Sequence, residues 1–99
     1  MRIGQVIGTV TLSRFHPSMT GASLKLAVPL ALADLNAGPQ PESEALVVYD
    51  ELGAGLGSRV AISEGAEAAQ PFQPDLKPID AYNAAILESI DVDSNIQLA

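Results

Sequence analysis

The sequence predicts a mainly β fold, a five-stranded, OB-like, partly open barrel with one short helix and long loops, in a single domain over residues 1–99. Three observations lead there. Short segments rich in β-branched residues recur along the chain, clusters of Gly and Pro separate them, and a single short segment has helix-forming composition. Lone strand edges are costly, so five such segments favour closure into a small barrel over an open sheet.

The first strand is read from Ile3 to Leu12, where Ile3, Val6, Ile7, Thr9, Val10 and Thr11 are β-branched. Gly4, Val6, Gly8, Val10 and Leu12 share one face, and two glycines on one face mark a bend or a close backbone approach. Ser13 to Ser23 is a loop. Leu24 to Leu30 alternates, which predicts Leu24, Leu26, Val28 and Leu30 inward and Lys25, Ala27 and Pro29 outward. Ala31 to Glu44 is a long connection in which Gly38, Pro39 and Pro41 exclude a regular helix. Ala45 to Tyr49 is a continuous apolar run, expected as a strand covered on both faces. Gly53 to Gly57 is a tight turn that requires positive φ. Ser58 to Ser63 alternates again, with Val60 and Ile62 on one face. Glu64 to Gln70 has the composition of two helical turns, and Pro71, Pro74 and Pro78 then favour extended chain. The last segment fits two periods. Ile79, Tyr82, Ile86 and Ile90 make a helical face; Ala84, Ile86, Glu88 and Ile90 make a strand face. The need for a closing partner favours a strand from about Ala84 to Asp91.

Hydrophobic residues make up 47% of the chain and charged residues 17%, fewer than the usual ~25%, so the surface has a short supply of charge and suits contact with copies of itself. The formal charge of −7 disfavours nucleic acid and anionic membrane surfaces, whose recognition rests on Lys and Arg. No apolar run is long enough to span a bilayer, and Met1 to Val10 does not read as a secretion signal. The absence of Cys excludes a disulfide framework and fits a reducing compartment. Charge is uneven: Arg2, Arg14 and Lys25 stand without an acid in residues 1–33, whereas residues 64–93 are acidic. This pattern is either a solvated acidic face or one half of a head-to-tail contact between copies.

Candidate chemistry is sparse. His16, in a His-Pro loop, lacks the companion ligands of a metal site and reads as a surface residue. Asp91 and Asp93 are too few for a calcium loop. Gly53-x-Gly55-x-Gly57 has the wrong spacing for a dinucleotide loop and is followed by a strand. No catalytic, cofactor-binding or metal-binding residue is assigned and no cofactor is expected. Gly53, Ala54, Gly55, Leu56 and Gly57 are instead read as a loop that packs very close to something, such as symmetry mates of the same chain.

Four landmarks occur in order: Met1-Arg2-Ile3-Gly4-Gln5-Val6-Ile7-Gly8-Thr9-Val10; Gly21-Ala22-Ser23-Leu24-Lys25-Leu26-Ala27-Val28; Asp50-Glu51-Leu52-Gly53-Ala54-Gly55-Leu56-Gly57-Ser58; and Pro78-Ile79-Asp80-Ala81 running on to Ile86 and Ile90-Asp91. Together they resemble the EutN/CcmL family of bacterial microcompartment vertex proteins. The resemblance implies a structural protein without enzymatic activity. It implies cyclic homopentamers, in preference to hexamers, of OB-like barrels at the five-fold vertices of a polyhedral shell within the cytoplasm. It also implies hexameric shell proteins as neighbours and neither nucleic acid nor membrane as partner. The competing expectation is a small cytosolic ligand-binding or regulatory barrel outside any shell.

Overall fold

A computed structural model describes residues 1–40 and 43–93; Pro41, one of the residues read as excluding a helix, lies outside them. The strands are β1 (Arg2–Val10), β2 (Leu24–Pro29), β3 (Leu46–Tyr49), β4 (Arg59–Glu64) and β5 (Ala81–Ile86). They close a barrel in the order β1-β2-β3-β5-β4. All neighbours are antiparallel except β3 and β5, which meet in parallel at Tyr49 and Tyr82. The expected barrel is therefore present, and its weakest seam is this brief parallel contact.

Strand lengths follow from the supply of partners. β1 ends at Val10, two residues before the expected Leu12, because Val10 pairs with Leu24, the first residue of β2. β5 was expected from Ala84 to Asp91 and instead runs from Ala81 to Ile86. Ile86 pairs with Val60, so β4 has almost no chain left for later residues to join. Gly4 lies in β1 where a Cβ would stand 2.5 Å from Ile62 Cδ1 and 3.2 Å from the Val28 carbonyl oxygen, the close approach expected of that face.

The interior cluster comprises Val6, Ala27, Val48, Ala54, Val60, Ile62 and Ala81. Leu24 and Val28 are buried as expected, but the barrel interior takes the other face of β2: Ala27 is inside with Lys25 beside it, whereas Leu24 packs in a second cluster with Met19 and Tyr49. A lysine drawn inward by a buried acid overrides the apolar alternation. In β3, Val48 and Tyr49 are buried on opposite faces but Val47 is exposed, so the strand is covered on both faces only at that end.

Two short helices depart from expectation. One turn, α1 (Asp34–Ala37), forms inside the long connection, with the Asp34 carboxylate accepting from the Ala31 amide and Gly38 ending it at φ 82°. The helix expected over Glu64 to Gln70 is a 3-10 helix over Gly65–Phe72 that continues through Pro71. Burial of Ala68 and edge-to-face packing of Phe72 on Tyr49 and Tyr82, at 5.0 and 5.6 Å, hold it against the barrel.

Candidate functional site

The most organised loop links β3 to β4. Asp50 immediately follows β3 and is 2% exposed, at one mouth of the barrel. One carboxylate oxygen accepts from the Leu52 amide at 3.0 Å and from Asn83 Nδ2 at 3.0 Å. The other accepts from the Ala54 amide at 2.8 Å and faces Lys25 Nζ at 3.6 Å. Burial pushes the Asp50 carboxyl up, but the bonds from Asn83, Leu52 and Ala54 and the nearby lysine outweigh it and hold the group below its ordinary value.

The two amide bonds fold the chain back on itself and press Ala54 into the interior cluster. Val6, Lys25, Ala27, Val48, Val60 and Asn83 complete that end, and the space between them is too small for a water molecule. Gly53 and Gly57 have φ of 77° and 84°, which meets the requirement for positive φ. The loop is secured to β1 by the Gly57 amide donating to the Val6 carbonyl at 2.8 Å and the Val6 amide to the Ser58 carbonyl at 2.9 Å. Gly53 to Gly57 thus forms a hydrogen-bonded lid over one barrel mouth. Leu56 within it and Leu52 just before it are 75% and 51% exposed. Gly55 needs no positive φ, and a Cβ there would meet nothing of its own chain.

Sequence reading placed Asp50 in a motif but missed Lys25 and Asn83, the side chains that fix it. The signal for Lys25 was a lone cation in an otherwise apolar strand; Asn83 had none, because a buried amide is indistinguishable by composition from a surface one.

The early cations are engaged within the chain. Arg2 pairs with Glu64 through Nε–Oε1 at 2.5 Å and Nη2–Oε2 at 2.9 Å, which raises the arginine and lowers the glutamate from their ordinary values. Both are substantially exposed, so the pair contributes about 0–1 kcal/mol. Lys25 faces Asp50. His16 is exposed and caps the 3-10 turn Pro17–Met19, its Nδ1 accepting from the Ser18 amide at 3.1 Å. Lys77 donates to the Ser18 carbonyl and lies 5.0 Å from the Phe72 ring, tying that turn to the proline-rich segment. Among the described residues no group of three or more metal-ligating side chains comes together, and no helix is long and apolar enough to cross a membrane.

Comparison with known proteins gives a consistent result. The sequence profile of the family described as "Ethanolamine utilisation protein EutN/carboxysome" matches residues 1–88. The carboxysome shell vertex protein CcmL of Gloeobacter violaceus is 38% identical over 94 residues, covering 95% of this chain and 89% of that protein. The bacterial microcompartment shell vertex protein GrpN of Rhodospirillum rubrum is 34% identical over 91 residues, covering 92% of this chain and 97% of that protein. The solved structure of Gloeobacter violaceus CcmL superimposes with a TM-score of 0.77 at 34% identity, over 94% of this chain and 91% of that one. That of Rhodospirillum rubrum GrpN, described as a pentameric microcompartment shell protein, gives 0.73 at 28% identity, over 94% and 100%. With the barrel, the Asp50-anchored lid and the profile match extending over nearly its whole length, the chain belongs to the EutN/CcmL family.

Proposed function

We propose that this chain is a structural protein that assembles into a homopentamer and occupies the five-fold vertices of a bacterial microcompartment shell in the cytoplasm. The observation that carries the proposal is the 38% identity, over 95% of the chain, to a protein named as a carboxysome shell vertex protein. The filled barrel argues against a ligand held inside it, since Ala54 packs into the interior and leaves no water-sized void at that end. Hexameric shell proteins are the proposed neighbours in the shell.

The lid, Gly53, Ala54, Gly55, Leu56 and Gly57, is the proposed assembly element. Its fixed backbone and exposed leucines favour docking against another chain, and the free space at Gly55 favours a role for that glycine outside its own barrel. A ring of five copies carries five times the charge of −7, or −35, so its contacts must be apolar or charge-complementary. A cyclic ring uses two different surfaces of each protomer, and the lid supplies one of them.

Native mass spectrometry tests this reading. The expected species has five times the chain mass of 10.3 kDa. A stable monomer at micromolar concentration would overturn it, and a hexamer would retain the family but remove the vertex role.

A further inference from the structure

We infer that the lid and the β3–β5 seam open as one unit, latched by two side-chain bonds that join Asp50 and Glu51 to Asn83 and Tyr82; the inference rests on the fold alone and not on the pentameric reading. Register shows where the barrel is weakest. β4 and β5 pair over five positions, from Glu64 with Ala81 to Val60 with Ile86, and β2 and β3 pair over four. β3 and β5 meet only at Tyr49 and Tyr82. So short a ladder leaves the seam to be held by side chains. Successive residues of a strand point to opposite faces, and here each face carries one bond. Inside, Asn83 Nδ2 donates to Asp50 Oδ1 at 3.0 Å, and both residues are 2% exposed. Outside, the Tyr82 hydroxyl donates to Oε1 of the exposed Glu51 at 2.9 Å.

The inner bond couples the seam to the lid. Asp50 also accepts from the Leu52 and Ala54 amides, so the carboxylate that holds β5 is the one that folds the lid. Asn83 is engaged at both ends of its amide: the nitrogen serves Asp50, and the oxygen accepts from the Ala85 amide at 3.2 Å. Ala54 of the lid and Ala81 of β5 belong to the same interior cluster. Moving β5 away from β3 would strip Asp50 of its Asn83 donor and Ala54 of apolar cover in one step, so the lid would loosen with the seam. The hinge of this movement is the other edge of β5, where its ladder to β4 is continued by the Leu87 amide donating to the Arg59 carbonyl at 2.8 Å. The bonds between Val6 and residues Gly57 and Ser58 keep the far end of the lid on β1.

Native-state hydrogen exchange, read residue by residue by NMR, tests the coupling through the outer bond, which lies away from the lid amides it should affect. Tyr82→Phe and Glu51→Ala remove that bond from its two ends, and Glu51 is exposed, so its variant keeps the fold. In both variants exchange at the Leu52, Ala54 and Ala85 amides should quicken by a common factor of about five, the effect of one exposed hydrogen bond on a shared opening. The amides of Leu87, on the hinge edge, and Leu30, which donates to Ile3 at the β1–β2 edge, should keep their wild-type rates. Glu51→Gln retains an acceptor for the hydroxyl and should stay within about twofold of wild type. Faster exchange at Ala85 without the lid amides, or at the lid amides without Ala85, would overturn the single unit. An equal increase at every amide, or none at any, would overturn the seam as the point of opening. A Glu51→Gln chain as fast as Glu51→Ala would remove the outer bond from the latch.

Discussion

A carboxylate sealed at a barrel mouth is tolerated only when its oxygens are fully partnered, and Asp50 has three hydrogen-bond donors and a lysine. Asp50→Ala removes all of them at once, leaving Lys25 facing an apolar interior and two amides without acceptors. The expected cost is about 3 kcal/mol, measured by urea unfolding at neutral pH. The pH dependence has a definite sign. The folded-state pKa lies below the ordinary value, so the contribution is fully present above about pH 4 and is lost as pH falls through the lower, folded value. The gap between wild type and Asp50→Ala should be constant from pH 7 to about 5 and narrow below about 4. A gap that widened on acidification would show that the folded state raises the pKa instead.

At the scale of elements, the lid separates two roles that glycine can play. Gly53 has φ of 77°, so Gly53→Ala should cost about 1 kcal/mol in the folding of the chain itself. Gly55 has no positive φ and a Cβ there would meet nothing of its own chain, so Gly55→Asp should leave the unfolding of the dissociated chain within about 0.5 kcal/mol of wild type. On the assembly reading the same Gly55→Asp weakens the ring, because the change meets the adjacent copy. The ring should therefore dissociate at lower urea concentration, followed by native mass spectrometry. A Gly55→Asp pentamer as robust as wild type would remove the lid from the contact.

The elements also show what the sequence made legible. The first four strands were readable from β-branched or alternating runs between Gly and Pro clusters, because these signals are local, whereas the fifth was favoured only by the need for a closing partner. The turn at Gly53 to Gly57 was readable for the same reason. Facing in β2 was not readable, because Lys25 points inward to an acid that is distant in sequence. The span of β5 was not readable either, because it is set by where β4 begins and by the Asn83 bond to Asp50. Asp50 itself was visible as part of a motif, whereas its dependence on Lys25 and Asn83 exists only once the barrel has closed.

At the scale of the whole molecule, the proposed vertex role leads to a topological expectation. A closed polyhedral surface built on hexagonal tiles must contain twelve pentagons. A pentameric protein is then a minor component by mass and still indispensable for closure. Deleting the gene should leave hexameric facets able to form, since tiles pair with one another without it. Closure is what should fail: a sheet of hexagons alone extends, rolls into tubes or stays open at its corners. The deletion strain should therefore contain elongated or leaky compartments whose enclosed enzymes are still made and still active. Restoring the wild-type gene should restore closed, isometric compartments, and a ring-breaking variant should not. Electron microscopy of the strains, with a leakage measurement for an enclosed intermediate, distinguishes these outcomes. Compartments of normal shape and permeability would mean either that another pentamer fills the vertices or that this chain does not occupy them. Deleting every homologous gene together separates the two, because closure must then fail if pentamers of this family supply the curvature.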